Sequence, residues 1–327
     1  MKKSTVIATL IPISVGLASP ALADDLQTSI EKQLSSVFDP HFPTDFSAFV
    51  GVKSWFNKWN LPVVLDNNKI VSYNSETEAT LIPMVGLRYK NFLISGSYFP
   101  QTDYSFGAQT IDFPLTSPND GGLTYIDSNL GAAVGVSGGA SVKVPVPSAI
   151  SAERSEWDIN VGYYLHRSLL VSAGYKRVDR QFHLHGQLPD DFSLTMFDPN
   201  GNELGTVGID EMKQAGKDTF QLDEEAITDG LTLNISSVVS LQGPFGLYGN
   251  FGFGWLETEG KTDSYNTDYY LGEFGLLYSH GVSGIPALNA AAVYLGYRFQ
   301  FLNDDLDIGN GATDSTEGFV LGLNLIF

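Results

Sequence analysis

The stretch Phe319–Phe327 alternates between two kinds of side chain along its whole length. Every second residue is large and apolar: Phe319, Leu321, Leu323, Leu325 and Phe327. The residues between them are smaller or partly polar: Val320, Gly322, Asn324 and Ile326. A period of two places successive side chains on opposite faces of a β-strand. The stretch therefore predicts a strand with two chemically different faces that ends on an aromatic residue.

Nine earlier segments alternate in the same way, so we predict ten strands. They are Asp45–Lys58, Thr77–Lys90, Phe92–Phe106, Glu156–His166, Ser168–Phe182, Gly230–Leu241, Phe245–Glu257, Asp268–His280 and Ala287–Phe301, followed by Thr316–Phe327. An even number returns both ends of the chain to one side of a membrane, as bacterial barrels require. Gly131–Pro147 would raise the number to twelve if it paired into the wall. Ser193–Val207 is predicted to be a hairpin outside the wall, because Asp198-Pro199-Asn200-Gly201 is a strong turn signal.

The connections between these strands alternate between short and long. Four are short turns, and the longest connections run over about 105–155 and 183–229. Short periplasmic turns and long extracellular loops are the pattern of a transmembrane barrel. A soluble β-sandwich requires neither this alternation nor apolar outward faces.

The closing strand, its terminal Phe327 and the alternating connections resemble the bacterial outer-membrane β-barrels, whose chains typically end on phenylalanine. The resemblance implies an all-β antiparallel transmembrane barrel over residues 45–327, in the outer membrane of a Gram-negative cell. It also implies contact with membrane lipid and lipopolysaccharide, and recognition of the C-terminal strand by the barrel-assembly machinery. The resemblance extends to a porin-like class and identifies no specific family within it.

The N-terminal residues predict export and a short periplasmic segment. Two lysines precede an apolar run at 6–18, and Ala21-Leu22-Ala23 fits a small-x-small cleavage pattern. Residues 1–23 are therefore expected to form a signal peptide. Within residues 24–44, the apolar spacing of Asp25–Phe38 predicts a short amphipathic helix.

Composition excludes several classes of function. The chain contains no cysteine, which rules out disulfide frameworks, thiolate metal sites and cysteine nucleophiles. Without Lys2 and Lys3, 16 basic and 37 acidic residues leave a formal net charge of 16 − 37 = −21. Such a charge disfavours a nucleic-acid partner, whose phosphates would be repelled. No cofactor is predicted, although the acidic connection at 183–228 would need divalent cations to bridge it to lipopolysaccharide phosphates.

Alternate residues of a strand share one face, which is called their parity here. The face that carries polar side chains is assigned to the inside of the barrel, and aromatic residues near the strand ends are assigned to the membrane boundaries. The predicted lumen-lining residues are Lys53, Arg88, Asp158, Asn160, Lys176, Asn234, Tyr248, Glu273 and Arg298. The predicted girdles contain Trp55, Trp157, Trp255, Tyr89, Tyr163, Tyr278 and Phe327. Ten strands enclose a narrow interior, because about eight leave room only for side chains or one small ligand. The mixed charges then either pair with one another or line a thin polar path with affinity for anions.

Few residues carry a recognisable metal-binding or catalytic pattern. His183 and His185 share one strand face and are candidates to meet a single metal or substrate. Asp305 and Asp307 alternate as in part of a calcium loop, but the glutamate of an EF-hand is absent. The ten strands resemble the architecture of the omptin proteases, which pair two aspartates with an Asp–His couple. The only Asp-x-His of the sequence, Asp39-Pro40-His41, precedes the first predicted strand, so we predict no catalytic residue.

These features of the sequence favour three functions, in the following order. The first is a porin-like narrow channel for the passive transport of small solutes. The second is a surface receptor, adhesin or structural barrel that acts through its long acidic loops. The third is a surface hydrolase that uses His183 or His185.

Overall fold

The computed structural model describes residues 46–327 apart from 66–68, 117–120, 128–131, 189, 215–218, 242, 262–263, 284, 286 and 305–311. The expected signal peptide at 1–23, the segment 24–44 and the candidate metal ligands Asp305 and Asp307 lie outside the described residues. Within the described part of the chain, no helix is long and apolar enough to cross a bilayer.

The described residues form an almost entirely β structure. The strands are β1 (Phe46–Leu65), β2 (Lys69–Asn74), β3 (Glu78–Tyr89), β4 (Phe92–Thr116), β5 (Gly122–Asp127), β6 (Ala132–Val136), β7 (Ser141–His166), β8 (Leu169–Gln187), β9 (Ser193–Phe197), β10 (Glu203–Gly208), β11 (Thr219–Ser240), β12 (Phe245–Glu259), β13 (Ser264–Gly281), β14 (Ala290–Asp304) and β15 (Ala312–Ile326). A single short helix, α1 (Ile209–Gln214), follows β10.

Ten of these strands close into an antiparallel barrel, as the alternation predicts. Their order around the wall is β15-β14-β13-β12-β11-β8-β7-β4-β3-β1, and β1 also pairs with β15. The closing register runs from Phe49 opposite Ile326 to Asn60 opposite Ser315. At the turn end, the backbones of Ala48 and Phe327 exchange two hydrogen bonds of 3.0 and 2.8 Å. The predicted closing strand is therefore paired along both of its edges.

A continuous apolar belt surrounds this barrel. On β15 the outward side chains from Phe319 to Phe327 are apolar and at least partly exposed, and the next outward residue towards the outer end is Glu317. On β12 the apolar stretch runs from Phe245 to Trp255 and ends at Glu257. These lengths match the roughly 9–11 residues that a tilted strand needs to cross a bilayer. Soluble proteins rarely expose apolar patches of this extent, so the barrel is a transmembrane one.

Four neighbouring strands continue beyond the outer edge of the belt as a tall wall. β4 and β7 pair as far as Thr116 opposite Ser141, and β8 and β11 pair as far as Gln187 opposite Thr219. The predicted loop bounds of 105–155 and 183–229 are therefore too wide, because both ends of each connection are strand. Pairing between neighbouring long strands satisfies backbone groups that an irregular loop would leave to water.

A second sheet is formed by the remainder of these two connections. Its order is β10-β9-β5-β6, and the β9–β10 hairpin lies where the turn signal at 198–201 predicts it. Hydrogen bonds from the side chain and backbone of Asn202, and from the backbone of Asn200, hold the pKa of Asp198 below its ordinary value. The glycine-rich segment splits between β6 in this sheet and the start of β7. The twelve-strand alternative is therefore wrong, and the wall keeps ten strands.

Candidate functional site

Three buried carboxylates organise a network of ion pairs inside the barrel. The first, Glu273 on β13, accepts hydrogen bonds from Lys53 Nζ at 2.9 Å and from Arg298 Nη1 at 3.1 Å. These side chains meet because alternate residues of β1, β13 and β14 face the lumen. All three residues are buried, and pairing offsets the cost of removing their charges from water.

The second carboxylate, Glu156 on β7, has three partners. It accepts hydrogen bonds from Arg154 Nε at 2.7 Å, Lys176 Nζ at 2.6 Å and Gln300 Nε2 at 3.0 Å. The Gln300 amide oxygen in turn accepts a bond from Arg298 Nη2 at 3.2 Å. The Glu156 and Glu273 clusters are thus joined through one neutral side chain.

The third carboxylate, Asp314 on β15, connects the network to the outer half of the lumen. It accepts hydrogen bonds from Trp59 Nε1 at 2.8 Å, Arg180 Nη1 at 2.8 Å and Arg154 Nη1 at 3.3 Å. Arg180 Nη2 also donates to the Thr228 hydroxyl at 2.7 Å. Because Arg154 bonds both Glu156 and Asp314, the three clusters form one network.

Two of these hydrogen bonds cross the full width of the lumen. Strands that are five places apart in a ten-stranded barrel lie opposite one another, as β7 and β14 do, and as β8 and β15 do. The Glu156–Gln300 bond of 3.0 Å joins the first pair of strands, and the Arg180–Asp314 bond of 2.8 Å joins the second. A direct bond between opposite walls places protein atoms across the path that a solute would take. The network therefore spans the lumen at this level.

An aromatic layer packs on the outer side of the network. The Trp59 ring lies 5.1 Å from Tyr104, 6.0 Å from Phe106 and 5.6 Å from Phe182, measured between ring centroids. The Tyr104 hydroxyl donates to Asn57 at 2.6 Å, so its polar end is satisfied as well. The guanidinium of Arg154 lies 5.3 Å from the centre of the Trp59 ring and links the two layers. A second layer of packed side chains therefore lies above the ion pairs.

A polar cavity of about 180 Å³ lies on the other side of the network, towards the short turns. Lys53, Lys176 and Arg298 line its end nearest the network. Its walls are mostly neutral and polar, and include Ser97, Asn160, Ser172, Asn234, Ser236 and Asn250.

The residues predicted to line the lumen all lie on the inner face, in several settings. Four of them belong to the ion-pair network: Lys53, Lys176, Glu273 and Arg298. Asp158, Asn160 and Asn234 line the cavity, and Asn234 Nδ2 donates to Asn160 at 3.0 Å. The Tyr248 hydroxyl lies 3.4 Å from Glu273. Arg88 is near the turn end, with its guanidinium 4.6 Å from the centre of the Tyr164 ring.

The aromatic residues predicted for the girdles divide into two groups. Six have outward positions: Trp157, Trp255, Tyr89, Tyr163, Tyr278 and Phe327. The girdle assignment of Trp55 is wrong, because its side chain is fully buried inside the barrel. There it packs edge-on against Phe99 at 5.9 Å and beneath the guanidinium of Arg298 at 4.8 Å. Trp55 lies two residues after Lys53, so both side chains point to the inner face of the barrel. The position of Trp55 along the strand determines its height in the membrane and not the face on which it lies.

The two candidate histidines lie on the exterior of the wall, above the apolar belt. His183 Nδ1 is 2.8 Å from Asp223 Oδ1 on β11, and His183 Nε2 is 3.9 Å from Glu153 on β7. The hydrogen bond from His183 is the main cause that holds the pKa of Asp223 below its ordinary value. His185 is exposed two residues further along β8. Among the residues that the structure describes, no three such side chains are placed to hold a metal ion.

Sequence reasoning missed four charged members of the network: Arg154, Glu156, Arg180 and Asp314. A usable signal was present, because Arg154, Glu156, Asp158 and Asn160 alternate with the period of an inward face. The predicted strands begin at Glu156 and Thr316, which leaves Arg154 and Asp314 in predicted loops. Glu156 and Arg180 lie within predicted strands but are absent from the predicted lumen-lining set. Asp223 was missed for a related reason, since β11 begins earlier than its apolar alternation indicates.

No protein-family model and no curated protein matches the chain. Solved structures that align with it include the outer-membrane protease OmpT from Escherichia coli, at 11% identity and a TM-score of 0.41, over 86% of this chain and 96% of that one. A Pseudomonas aeruginosa FadL homologue aligns at 8% identity and a TM-score of 0.31, over 86% and 90%. The Pseudomonas putida toluene transporter TodX aligns at 7% identity and a TM-score of 0.27, over 89% and 93%. At these values the alignments carry no argument about activity. By its own strand order and apolar belt, the chain is a ten-stranded β-barrel of the outer-membrane class.

Proposed function

We propose that this protein is an outer-membrane barrel with a closed lumen that works at the cell surface as a receptor, adhesin or structural barrel. The observation that carries the proposal is the direct bonding of opposite strands by Glu156–Gln300 and Arg180–Asp314. The part of the chain outside the membrane is available for a role at the surface. Its described residues include the tall wall and the second sheet.

The porin-like channel that ranks first from the sequence has less support. A passive solute would have to separate Lys53, Lys176 and Arg298 from their carboxylates in a buried setting. Leaving one buried charge without its partner typically costs several kcal/mol. Spontaneous opening of the network is therefore expected to be rare.

Conductance separates these two functions. Purified protein inserted into planar bilayers at moderate voltage is expected to show no discrete conductance steps. Insertion is verified on the same preparation by the heat-dependent shift of the folded band in gel electrophoresis. Reproducible steps from the unmodified protein, with insertion verified, would contradict the closed barrel and favour the porin-like channel.

The exterior just above the apolar belt supports contact with lipopolysaccharide. Four outward carboxylates border this level: Asp229, Glu257, Asp268 and Glu317. Divalent cations would bridge such carboxylates to lipopolysaccharide phosphates by screening both negative charges. The proposal includes export through residues 1–23 and recognition of the closing strand by the assembly machinery.

The second sheet is the part whose removal tests the surface role. Replacing Ser193–Gln214 with a short Gly-Ser linker removes β9, β10 and α1 and leaves the paired wall strands β8 and β11 intact. We expect the barrel to keep its heat resistance in detergent and to lose binding to partners selected on glycan and protein arrays with the full chain. If the shortened chain binds every such partner equally well, the surface role does not lie in this sheet.

A surface hydrolase is a second candidate, favoured by the 2.8 Å contact between His183 and Asp223. An imidazole oriented by a carboxylate is the general-base half of a nucleophilic site, and Ser151 is paired with His183 across the sheet. Ester hydrolysis by the folded protein is expected to fall at least tenfold in His183→Ala. His166→Ala, at a turn on the opposite end of the barrel, is the matched control. Undetectable activity in the unmodified protein, or equal activity in both variants, would remove this candidate.

A further inference from the structure

We infer that the cavity on the turn side of the network is a binding site for a small oxoanion. It is lined by Lys53, Lys176 and Arg298 at one end and by neutral polar side chains around it, with four apolar side chains among them: Phe49, Met84, Leu170 and Leu271. The site is independent of the surface role proposed above, since it lies inside the barrel on the other side of the ion pairs.

The network end of the cavity presents more hydrogen-bond donors than its protein partners use. Among the described residues, the ammonium groups of Lys53 and Lys176 have one protein acceptor each, Glu273 and Glu156 respectively, whereas an ammonium carries three donors. A ligand rich in acceptor oxygens would satisfy these donors.

Three cationic side chains and one carboxylate line the cavity. Asp158 is the one carboxylate among the residues that line the cavity. One of its oxygens accepts a hydrogen bond from Ser97 at 2.6 Å, and the other accepts one from Asn160 at 2.7 Å. Both oxygens are therefore already engaged by wall side chains. The remaining wall hydroxyl and amide groups can turn their donors towards a ligand.

The charge around the cavity also favours an anion. The network contains five cationic side chains: Lys53, Arg154, Lys176, Arg180 and Arg298. With Asp158 included, its carboxylates are four: Asp158, Glu156, Glu273 and Asp314. A fifth carboxylate, Asp304, is buried at the outer end of β14, is bonded to Thr267 at 2.8 Å and interacts with Arg180, so the five cations of the whole network are balanced. The excess of cations is confined to the cavity lining, where Lys53, Lys176 and Arg298 outnumber Asp158. Low polarity strengthens the attraction of such a lining for an anion.

Inorganic phosphate is the probe that tests this site. Isothermal titration of the folded barrel in detergent, at constant ionic strength, is expected to show saturable binding of about one phosphate per chain. Ser236→Leu places a larger apolar side chain in the cavity and is expected to weaken binding at least tenfold. Ser237→Leu adds the same side chain to the adjacent residue, whose parity places it on the lipid-facing side, and is expected to leave affinity unchanged.

Three outcomes would overturn the inference. The first is no saturable binding of phosphate to the unmodified barrel, and the second is equal affinity in the two leucine variants. The third is competition by neutral glycerol as strong as that by sulfate, which would identify a general polar cavity. If Ser236→Leu does not fold, the competition of sulfate and glycerol against phosphate on the unmodified barrel decides alone. Conductance remains a separate measurement, so a failure here leaves the closed-barrel proposal intact.

Discussion

Replacing Glu156 with alanine is expected to lower the free energy of unfolding by about 3–5 kcal/mol, the usual cost of removing one partner of a buried ion pair. The change leaves Lys176 without its carboxylate and Arg154 with Asp314 alone. It also breaks the bond to Gln300 on the opposite strand. Urea titration of the folded protein in lipid vesicles, followed by tryptophan fluorescence, measures the loss.

Two matched variants sharpen this expectation. Glu257→Ala removes an exposed carboxylate from the exterior and is expected to change stability by no more than about 0.5 kcal/mol. The double variant Glu156→Ala with Lys176→Met is expected to lose less than the sum of its two single changes, because neither residue is then left unpaired. Equal losses for Glu156→Ala and Glu257→Ala would show that the network does not hold the lumen together.

Replacing Gly318 with alanine is expected to impair closure of the barrel. Gly318 lies on β15 opposite Asn57 of β1, at the seam where the two ends of the sheet meet. A Cβ atom there would overlap the carbonyl oxygen of Phe56 and lie 2.8 Å from the Cα of Asn57. These atoms belong to backbone, which cannot rotate away as a side chain would. Overpacking of this kind costs about 1–3 kcal/mol or more, and here it acts on the closing hydrogen bonds.

The fraction of heat-resistant, folded protein recovered on refolding measures this effect, together with hydrogen exchange of the β1 and β15 amides. Gly249→Ala is the control, because a Cβ there would meet only the Phe251 ring at an ordinary 3.6 Å. We expect Gly249→Ala to refold normally and Gly318→Ala to yield less folded protein with faster exchange at the seam. Equal yields and exchange rates would show that the seam tolerates a side chain at this position.

Strand parity accounts for most of what could be predicted about the fold. The alternation in Phe319–Phe327 recurs in nine earlier segments, and the structure confirms ten strands in one closed sheet. The alternation alone also assigns Lys53, Glu273 and Arg298 to the inner face, because a period of two separates the two faces of a strand without any tertiary information. Trp55 follows the same rule. Its girdle assignment was wrong because its level along the strand was given more weight than its parity.

The outer wall was harder to predict because its strands lack a clear contrast between an apolar and a polar face. β4, β7, β8 and β11 continue beyond the apolar belt, where the outward side chains become polar and the contrast between the two faces fades. Arg154 and Asp223 lie in these extensions, so their strands were predicted to be loops. The turn at 198–201 was found because turn chemistry is local and does not depend on that contrast.

The sequence by itself determined the alternating segments, the faces of their side chains and the apolar belt, because each follows from neighbours along one strand. The choice between ten and twelve wall strands needed the structure. Only the tertiary structure decided which inward residues meet. Barrel closure brings β7 opposite β14 and β8 opposite β15, so that Glu156 reaches Gln300 and Arg180 reaches Asp314. A period of two carries no information about register between distant strands. The network that spans the lumen, and the cavity on its turn side, could therefore be seen only in the folded barrel.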